Sequence, residues 1–392
     1  EFVNAKQFEG VAMDKIIESP ALRKNPLSYG PYYIKEVIQG EKVIFEANPY
    51  FYKGEPKIKR IEMEILPPSQ QVAAIKSGKY DLVFMASTDI FPEIEKFDNI
   101  NIATRKANYM NYIAFKLGKW DAEKNENIVN PNAKMYDINL RKAIAYAIDN
   151  DAIGEQFFHG LASTAKSQLS PSFPSLHNSD INGYRIDIEK AKKLLDDAGY
   201  KDVDGDGIRE GKDGKPIKFT FAMMSGGETA EPISQYYLQQ WKSIGLNVEL
   251  VDGRLLDFNN FYDRVEADDP AIDFCLAGIG FSSDPQQVSL FGKTAGFNIS
   301  RYTSDTLDAA LSATVSPEAM DDQKRIELYK NYERVFMDEL PVVPQLNKYE
   351  FLPVNKRVKM FDWTESRRGF GTEFDWSQLE LTAPEPIVDS KN

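Results

Sequence analysis

Between residues 60 and 66 the chain runs Arg-Ile-Glu-Met-Glu-Ile-Leu. Polar and apolar side chains that alternate at period two predict a strand with one buried face. Upstream, apolar runs at 32–38 and 43–47 flank Gly40-Glu41, the pattern of a hairpin. Pro67-Pro68 ends the third run, because proline brings no ladder N–H. A short helix then reaches about Ser77, with Gly78 as its C-terminal cap, and 80–85 reads as the next strand.

Further along the period changes. Leu140, Ala143, Ile144, Ala147 and Ile148 fall at i, i+3, i+4, i+7 and i+8, one face of a helix that Asp137 caps. Ile188, Ala191, Leu194, Leu195 and Ala198 repeat the stripe between Asp187 and Gly199. Apolar runs at 217–223 and 246–251, with a helix over 231–244 between them, predict a strand-helix-strand unit with a right-handed crossover. The run 272–279 is nearly all apolar and predicts a central strand. A long helix spans about 317–338, and a closing strand follows Pro341. The fold class expected is α/β, with two sheet-based domains bridged by extended segments near 109–117 and 342–352. Two crossings are what a hinged clamp needs, and a ligand in such a fold sits in the cleft that closure buries.

Composition narrows the function classes. Of 392 residues, 42% are hydrophobic and 12% aromatic, which suits a packed globular chain and argues against disorder. The formal charge of -13 repels phosphate backbones, so nucleic acid is not an expected partner. Cys275 is alone, so no internal disulfide forms, and Phe274, Leu276 and Ala277 around it predict a buried, inert thiol. His159 and His177 are the only histidines, which removes most catalytic triads and zinc sites. No nucleophile elbow, P-loop or metalloprotease helix is present, so a hydrolase is a distant alternative and no catalytic residue is assigned.

One motif points to a cation. In Asp202-Val-Asp-Gly-Asp-Gly-Ile-Arg-Glu-Gly-Lys-Asp213, acids stand at positions 1, 3 and 5 with glycine at 6, the first half of a calcium loop. Asp202, Asp204, Asp206, the carbonyl of Ile208 and Asp213 are the candidate ligands of a structural calcium; otherwise the segment is a polar turn. No other cofactor is expected.

Several segments together resemble the oligopeptide-binding family of ABC-importer solute-binding proteins, the family 5 class that also holds dipeptide and nickel binders. They are Gly30-Pro31-Tyr32, the turn from Glu46 through Asn48-Pro49-Tyr50 to Gly54, Ser77-Gly78-Lys79-Tyr80-Asp81-Leu82, the helix from Asp137 to Asp149, and the helix from Glu189 to Gly199-Tyr200. The resemblance covers about residues 10–365. It implies the two-lobe periplasmic-binding-protein-like fold of type II, cluster C, with lobe I incomplete. Residues 1–110 would be the remainder of lobe I, 111–350 lobe II, and 351–392 the return to lobe I and a tail. Family members carry a longer N-terminal portion that in Gram-positive bacteria begins with a lipid-bearing cysteine. The resemblance therefore implies a C-terminal fragment of an extracytoplasmic lipoprotein, whose own peptide binding is weak without the missing part.

The same resemblance implies a function. The implied partners are an oligopeptide ligand and the permease subunits of an ABC importer, with no chemistry on the ligand. Peptide binders of this family hold an extended backbone by strand-like hydrogen bonds and leave hydrated pockets for varied side chains. Expected contacts are Asn111 and Tyr112 on the first crossing, Gly278, Gly280, Phe281 and Ser282 after the central strand, Phe297, Asn298 and Arg301 in a Gly-rich loop, and Gln345 and Asn347 on the second crossing. Gly278 and Gly280 would let ligand backbone approach. Aligned on Asp284-Pro285, Phe281 stands where many members place an aspartate against the ligand's amino terminus, which would relax ligand length. Nickel-chelate or haem delivery and a peptide-pheromone receptor are the alternatives within the same fold.

Overall fold

The structure is a computed structural model that describes residues 8–16, 19, 26, 28–281, 284–359 and 375–390. The chain divides into two compact units, Glu1–Arg105 with Glu350–Asn392, and Lys106–Tyr349.

In the first unit, β1 (Tyr32–Ile38), β2 (Lys42–Ala47) and β3 (Arg60–Glu64) form an antiparallel sheet in sequential order. Gly40 closes the β1–β2 turn at φ +78°, a conformation that favours glycine. Phe45 faces Ile34 on one side and Ile61 on the other. A short helix, Gln71–Lys76, ends as expected at Gly78, φ +67°. The strand expected over 80–85 does not form. Its one ladder contact among the described residues is the bridge Leu82–Val354, and Met85 turns to φ +52° with its side chain in solvent. Arg357 holds Asp81 through two hydrogen bonds, at 2.5 and 2.8 Å, beside a small core of Leu352, Val354, Val358 and Leu379.

The second unit is built on a six-stranded mixed sheet. Its elements in chain order are β4 (Ile100–Phe115), the hairpin β5 (Gly118–Asp121) and β6 (Glu126–Val129), α1 (Ile138–Tyr146), α2 (Asn150–Phe158), β7 (Ala162–Thr164), α3 (Ile188–Ala198), β8 (Phe219–Met223), α4 (Ala230–Ser243), β9 (Val248–Leu250), α5 (Phe258–Glu266), β10 (Phe274–Gly280), α6 (Asp305–Ala313), α7 (Asp322–Glu339) and β11 (Val342–Asn355). The strand order is β7-β11-β4-β10-β8-β9. The chain passes between the units twice, inside β4 and inside β11, which are neighbours in this sheet.

The interior position of β10 explains its apolar run. It pairs antiparallel with β4 and parallel with β8, and Phe274, Cys275 and Ala277 are almost fully buried. Trp241 meets Phe221 and Phe274 edge to face at ring separations of 4.9 and 5.0 Å, those two rings tilt against each other at 5.0 Å, and Tyr237 stacks on Trp241 at 5.3 Å. The stripe read from Leu140 to Ile148 is buried in the same core. The helix behind it stops early, however. Asp149 accepts from the Ala152 N–H at 2.9 Å and starts α2, a helix the sequence reading did not assign. The long helix expected over 317–338 is likewise divided: Pro317–Met320 is a 3₁₀ turn, and Asp321 caps a fresh start at α7.

One buried cation holds this packing together. Arg141, 3% exposed, donates to the carbonyls of Met135, Tyr136, Glu339 and Leu340. The last two are orphan acceptors at the C-terminus of α7, so a charge on α1 caps a helix 198 residues further along the chain. Among the described residues no helix is long and apolar enough to cross a membrane.

Candidate functional site

The expected contact residues separate into three places in the second unit. At the end of β10, Gly278 lies opposite Asn111 of β4. A Cβ on Gly278 would fall 1.6 Å from the Tyr109 hydroxyl. The glycine therefore makes room for the Tyr109 side chain, and this corrects the reading that it admits a ligand backbone. Tyr112 is buried against Phe291 at 6.5 Å and serves the core. Gly280 is exposed at the strand end, Asn111 is half-buried, and Phe281 packs on two hydrophobic clusters. Ser282 lies outside the described residues.

The loop after Phe291 is a lock. Asn298 donates to the carbonyls of Phe291 and Tyr302 at 3.2 and 2.9 Å and accepts from Ser300 Oγ at 2.8 Å. Arg301 is 2% exposed and adopts φ +57°. It donates to Asp268 at 2.8 Å, to the carbonyls of Gly296 and Glu266 at 2.9 Å each, and to Asn127. Lys116 also pairs with Asp268. Burial pushes the Lys116 pKa down; burial alone would raise that of Asp268, but Lys116 and Arg301 beside it hold its carboxyl below the usual range. Asn298 and Arg301 are thus held by partners within their own unit. Phe297, at the tip, is 67% exposed.

The third place is a pocket of about 250 Å³ where β7 meets β11. Gln345 does not reach it: the residue is fully buried and accepts from the Tyr237 hydroxyl at 3.4 Å. Asn347 and Lys348 do line it, with Ser163 and Thr164 of β7 and with Lys166 and His177 from the segment after it. Asn347 is 8% exposed, and its Oδ1 has no hydrogen-bond partner among the described residues. The Lys348 ammonium lies over the rings of Phe158 and Tyr109, at 4.6 and 5.9 Å. Burial pushes its pKa down to about 8.

Lys348, Lys166 and Thr164 were not singled out in the sequence, and His177 was noted only as one of two histidines. Lys348 stands among Gln345, Asn347 and Glu350 in its strand, so the sequence pattern alone does not mark it. The others sat in a Ser- and Pro-rich segment that reads only as a loop.

Ser167, His177 and Glu333 meet nearby, but not as a nucleophile and base. Ser167 is fully buried, its hydroxyl donates to Glu333 at 2.5 Å, and the same His177 nitrogen lies 3.4 Å from both partners. A catalytic serine needs an exposed oxygen whose proton passes to the imidazole. Cys275 is buried, and burial pushes its thiol up to about 12.

In the polar turn, Asp202, Asp204 and the buried Glu210 bring ligand oxygens within 4.8 Å of one another. Glu210, which the sequence did not single out, joins Asp202 and Asp204 of the expected set in this cluster. Asp206 accepts the Ile208 N–H at 2.7 Å, and Asp213 accepts the Lys215 N–H and pairs with its ammonium at 3.5 Å. The oxygen-only donors fit a hard cation such as calcium.

The sequence profile of the bacterial extracellular solute-binding proteins, family 5, matches residues 4–298. The oligopeptide-binding protein OppA of Lactococcus lactis subsp. lactis is 30% identical over 376 residues, which is 95% of this chain and 62% of that protein. The oligopeptide-binding protein AppA of Bacillus subtilis is 28% identical over 84% of this chain and 57% of its own length. The structure of lactococcal OppA, complexed with an endogenous peptide in the closed conformation, superposes with a TM-score of 0.83 at 28% identity, covering 97% of this chain and 70% of that one.

Proposed function

Because the chain belongs to the family 5 bacterial extracellular solute-binding proteins, we propose that it serves to capture oligopeptides outside the cytoplasm and deliver them to the permease of an ABC importer, leaving the peptide unchanged. The observation that carries the reading is the likeness, along 95% of the chain, to a protein named for oligopeptide binding. The superposition on a relative that holds an endogenous peptide supports it. The pocket at β7 and β11, about 250 Å³ with Ser163, Thr164 and Asn347 in its lining, suits a ligand whose side chains vary, since water can fill what a given side chain leaves open. Isothermal calorimetry with peptides of three to ten residues, followed by mass spectrometry of the recovered ligand, tests the proposal. Saturable binding, weak in this chain by itself as the resemblance implies, with the peptide returned intact, is expected. Binding of none of these peptides, or their cleavage, refutes it.

We propose further that the turn at Asp202, Asp204 and Glu210 takes a calcium ion with a structural role. The support is the convergence of three carboxylates in a chain where metal-ligating side chains converge nowhere else among the described residues. Calcium is expected to raise the melting temperature of the chelator-treated protein, and Asp202→Asn to abolish the rise. An unchanged melting temperature in the parent protein refutes the role.

A further inference from the structure

The pocket where β7 meets β11 lies wholly within the second unit and is basic in an acidic protein. The chain carries a formal charge of -13, yet the lining contains Lys106, Lys166, His177 and Lys348 and no aspartate or glutamate. The acids on the elements behind the lining are engaged elsewhere. Asp151 of α2 accepts from the Thr164 hydroxyl at 2.6 Å and pairs with Arg185. Glu333 of α7 accepts from Ser167 and, at 2.9 Å, from the Asn178 N–H, with His177 Nδ1 at 3.4 Å.

Lys348 is an amine held in this cavity without a counter-ion. Among the described residues no carboxylate forms an ion pair with it, and its contacts are the faces of Phe158 and Tyr109. An ammonium in that place gives up hydration that no anion returns, whereas the neutral amine escapes the cost. Burial accordingly brings the pKa down to about 8. At pH 8 about half of the Lys348 side chains then carry a free lone pair, against roughly 0.3% of lysines that titrate at 10.5. A lysine desolvated in this way is a nucleophile.

The surroundings select the electrophile. A reagent that leaves the nitrogen neutral or cationic does nothing for Lys106 and Lys166 across the cavity; one that leaves an anion answers both. Carbon dioxide does so, and a cavity of about 250 Å³ admits a three-atom reagent beside the amine.

We infer that Lys348 is a site of reversible carbamate formation, at which its amine takes up carbon dioxide and the positive potential of Lys106 and Lys166 holds the product. The nitrogen lone pair forms a bond to the carbon of carbon dioxide, one C=O π pair moves onto oxygen, and the nitrogen releases one proton to solvent. Nothing is oxidised or reduced. A side chain that alternates between +1 and 0 is replaced by one of charge -1, so the lining gains the anion it lacks. The inference rests on the cavity, its cations and the unpaired amine, and it stands whether or not the protein binds peptides.

Chemical trapping tests it. The whole chain is equilibrated at pH 8 with ¹³C-labelled bicarbonate and dissolved carbon dioxide, carbamates are alkylated with triethyloxonium, and peptide mapping by mass spectrometry locates the stable ester. The trapped fraction at Lys348 is expected to exceed that at a typical surface lysine by tenfold or more, in line with the excess of neutral amine. Lys166→Met is expected to lower it severalfold, and Lys348→Arg to abolish it. Bicarbonate is also expected to raise the melting temperature of the parent protein at pH 8 and matched ionic strength, because the unfolded lysine is almost wholly protonated, and to leave that of Lys348→Arg unchanged. Trapping at Lys348 no greater than at surface lysines overturns the inference, a result the parent protein gives without any variant. A melting rise that persists in Lys348→Arg, or ¹³C spectra showing bound bicarbonate with no carbamate carbon, overturns it as well.

Discussion

Replacing Lys348 by methionine is expected to stabilise the ligand-free protein at neutral pH. The lysine is partly buried in the pocket and its pKa falls from 10.5 to about 8 by burial alone. The folded value lies below the unfolded one, so between those limits the unfolded chain binds more protons. The penalty is fully present below pH 8, and stability rises as pH climbs from about 8 towards 10.5. At about 1.4 kcal/mol per unit the penalty is roughly 3 kcal/mol at pH 7. The ring contacts with Phe158 and Tyr109 return about 1 kcal/mol of it. Methionine has a similar length, keeps the ring contact through its thioether, and carries no charge to desolvate. The net gain is about 1–2 kcal/mol, which for a chain of this length is roughly 1–3 °C in melting temperature. Calorimetric melts of both proteins from pH 6.5 to 9.5 provide the assay. The variant is expected to melt higher at pH 6.5, with the difference shrinking as pH rises. A variant that melts lower at pH 6.5, or a difference that ignores pH, refutes the reasoning. Lys106, Lys166 and His177 face the same cavity and are present in both proteins.

Two further outcomes rest on single buried groups. Arg141→Met removes four hydrogen bonds and strands the Glu339 and Leu340 carbonyls at the end of α7, so urea unfolding is expected to show a loss of about 3 kcal/mol or more; a loss under about 1 kcal/mol would contradict the capping role. Cys275, buried and pushed up to about 12, is expected to resist thiol reagents in the native protein and to react at once in denaturant; stoichiometric labelling of the folded protein would contradict its placement.

The parts of the fold legible in the sequence were those governed by local period and caps. The hairpin about Gly40, the Asp187–Gly199 helix and the apolar run of β10 all carry their signal within a short stretch of chain. The restart at Asp149 was not legible, because the apolar stripe ends at Ile148 and only the side-chain bond to Ala152 shows that a second helix begins. Arg141 stood out only as part of a motif, and its role depends on a helix end far along the chain. The site was less legible than the fold for the same reason. The sequence does not show that Asp268, Asn127 and the loop carbonyls gather around Asn298 and Arg301. Lys348 looks like an ordinary lysine until the cavity and the absence of an acid in its lining are seen together.

Native mass spectrometry of the protein purified from its own host without refolding, followed by denaturation and sequencing of what is released, bears most directly on the proposed function. A mixture of oligopeptides, chemically intact and released only on unfolding, is the expected result. A metal chelate, a haem or a covalently altered compound in their place would contradict it.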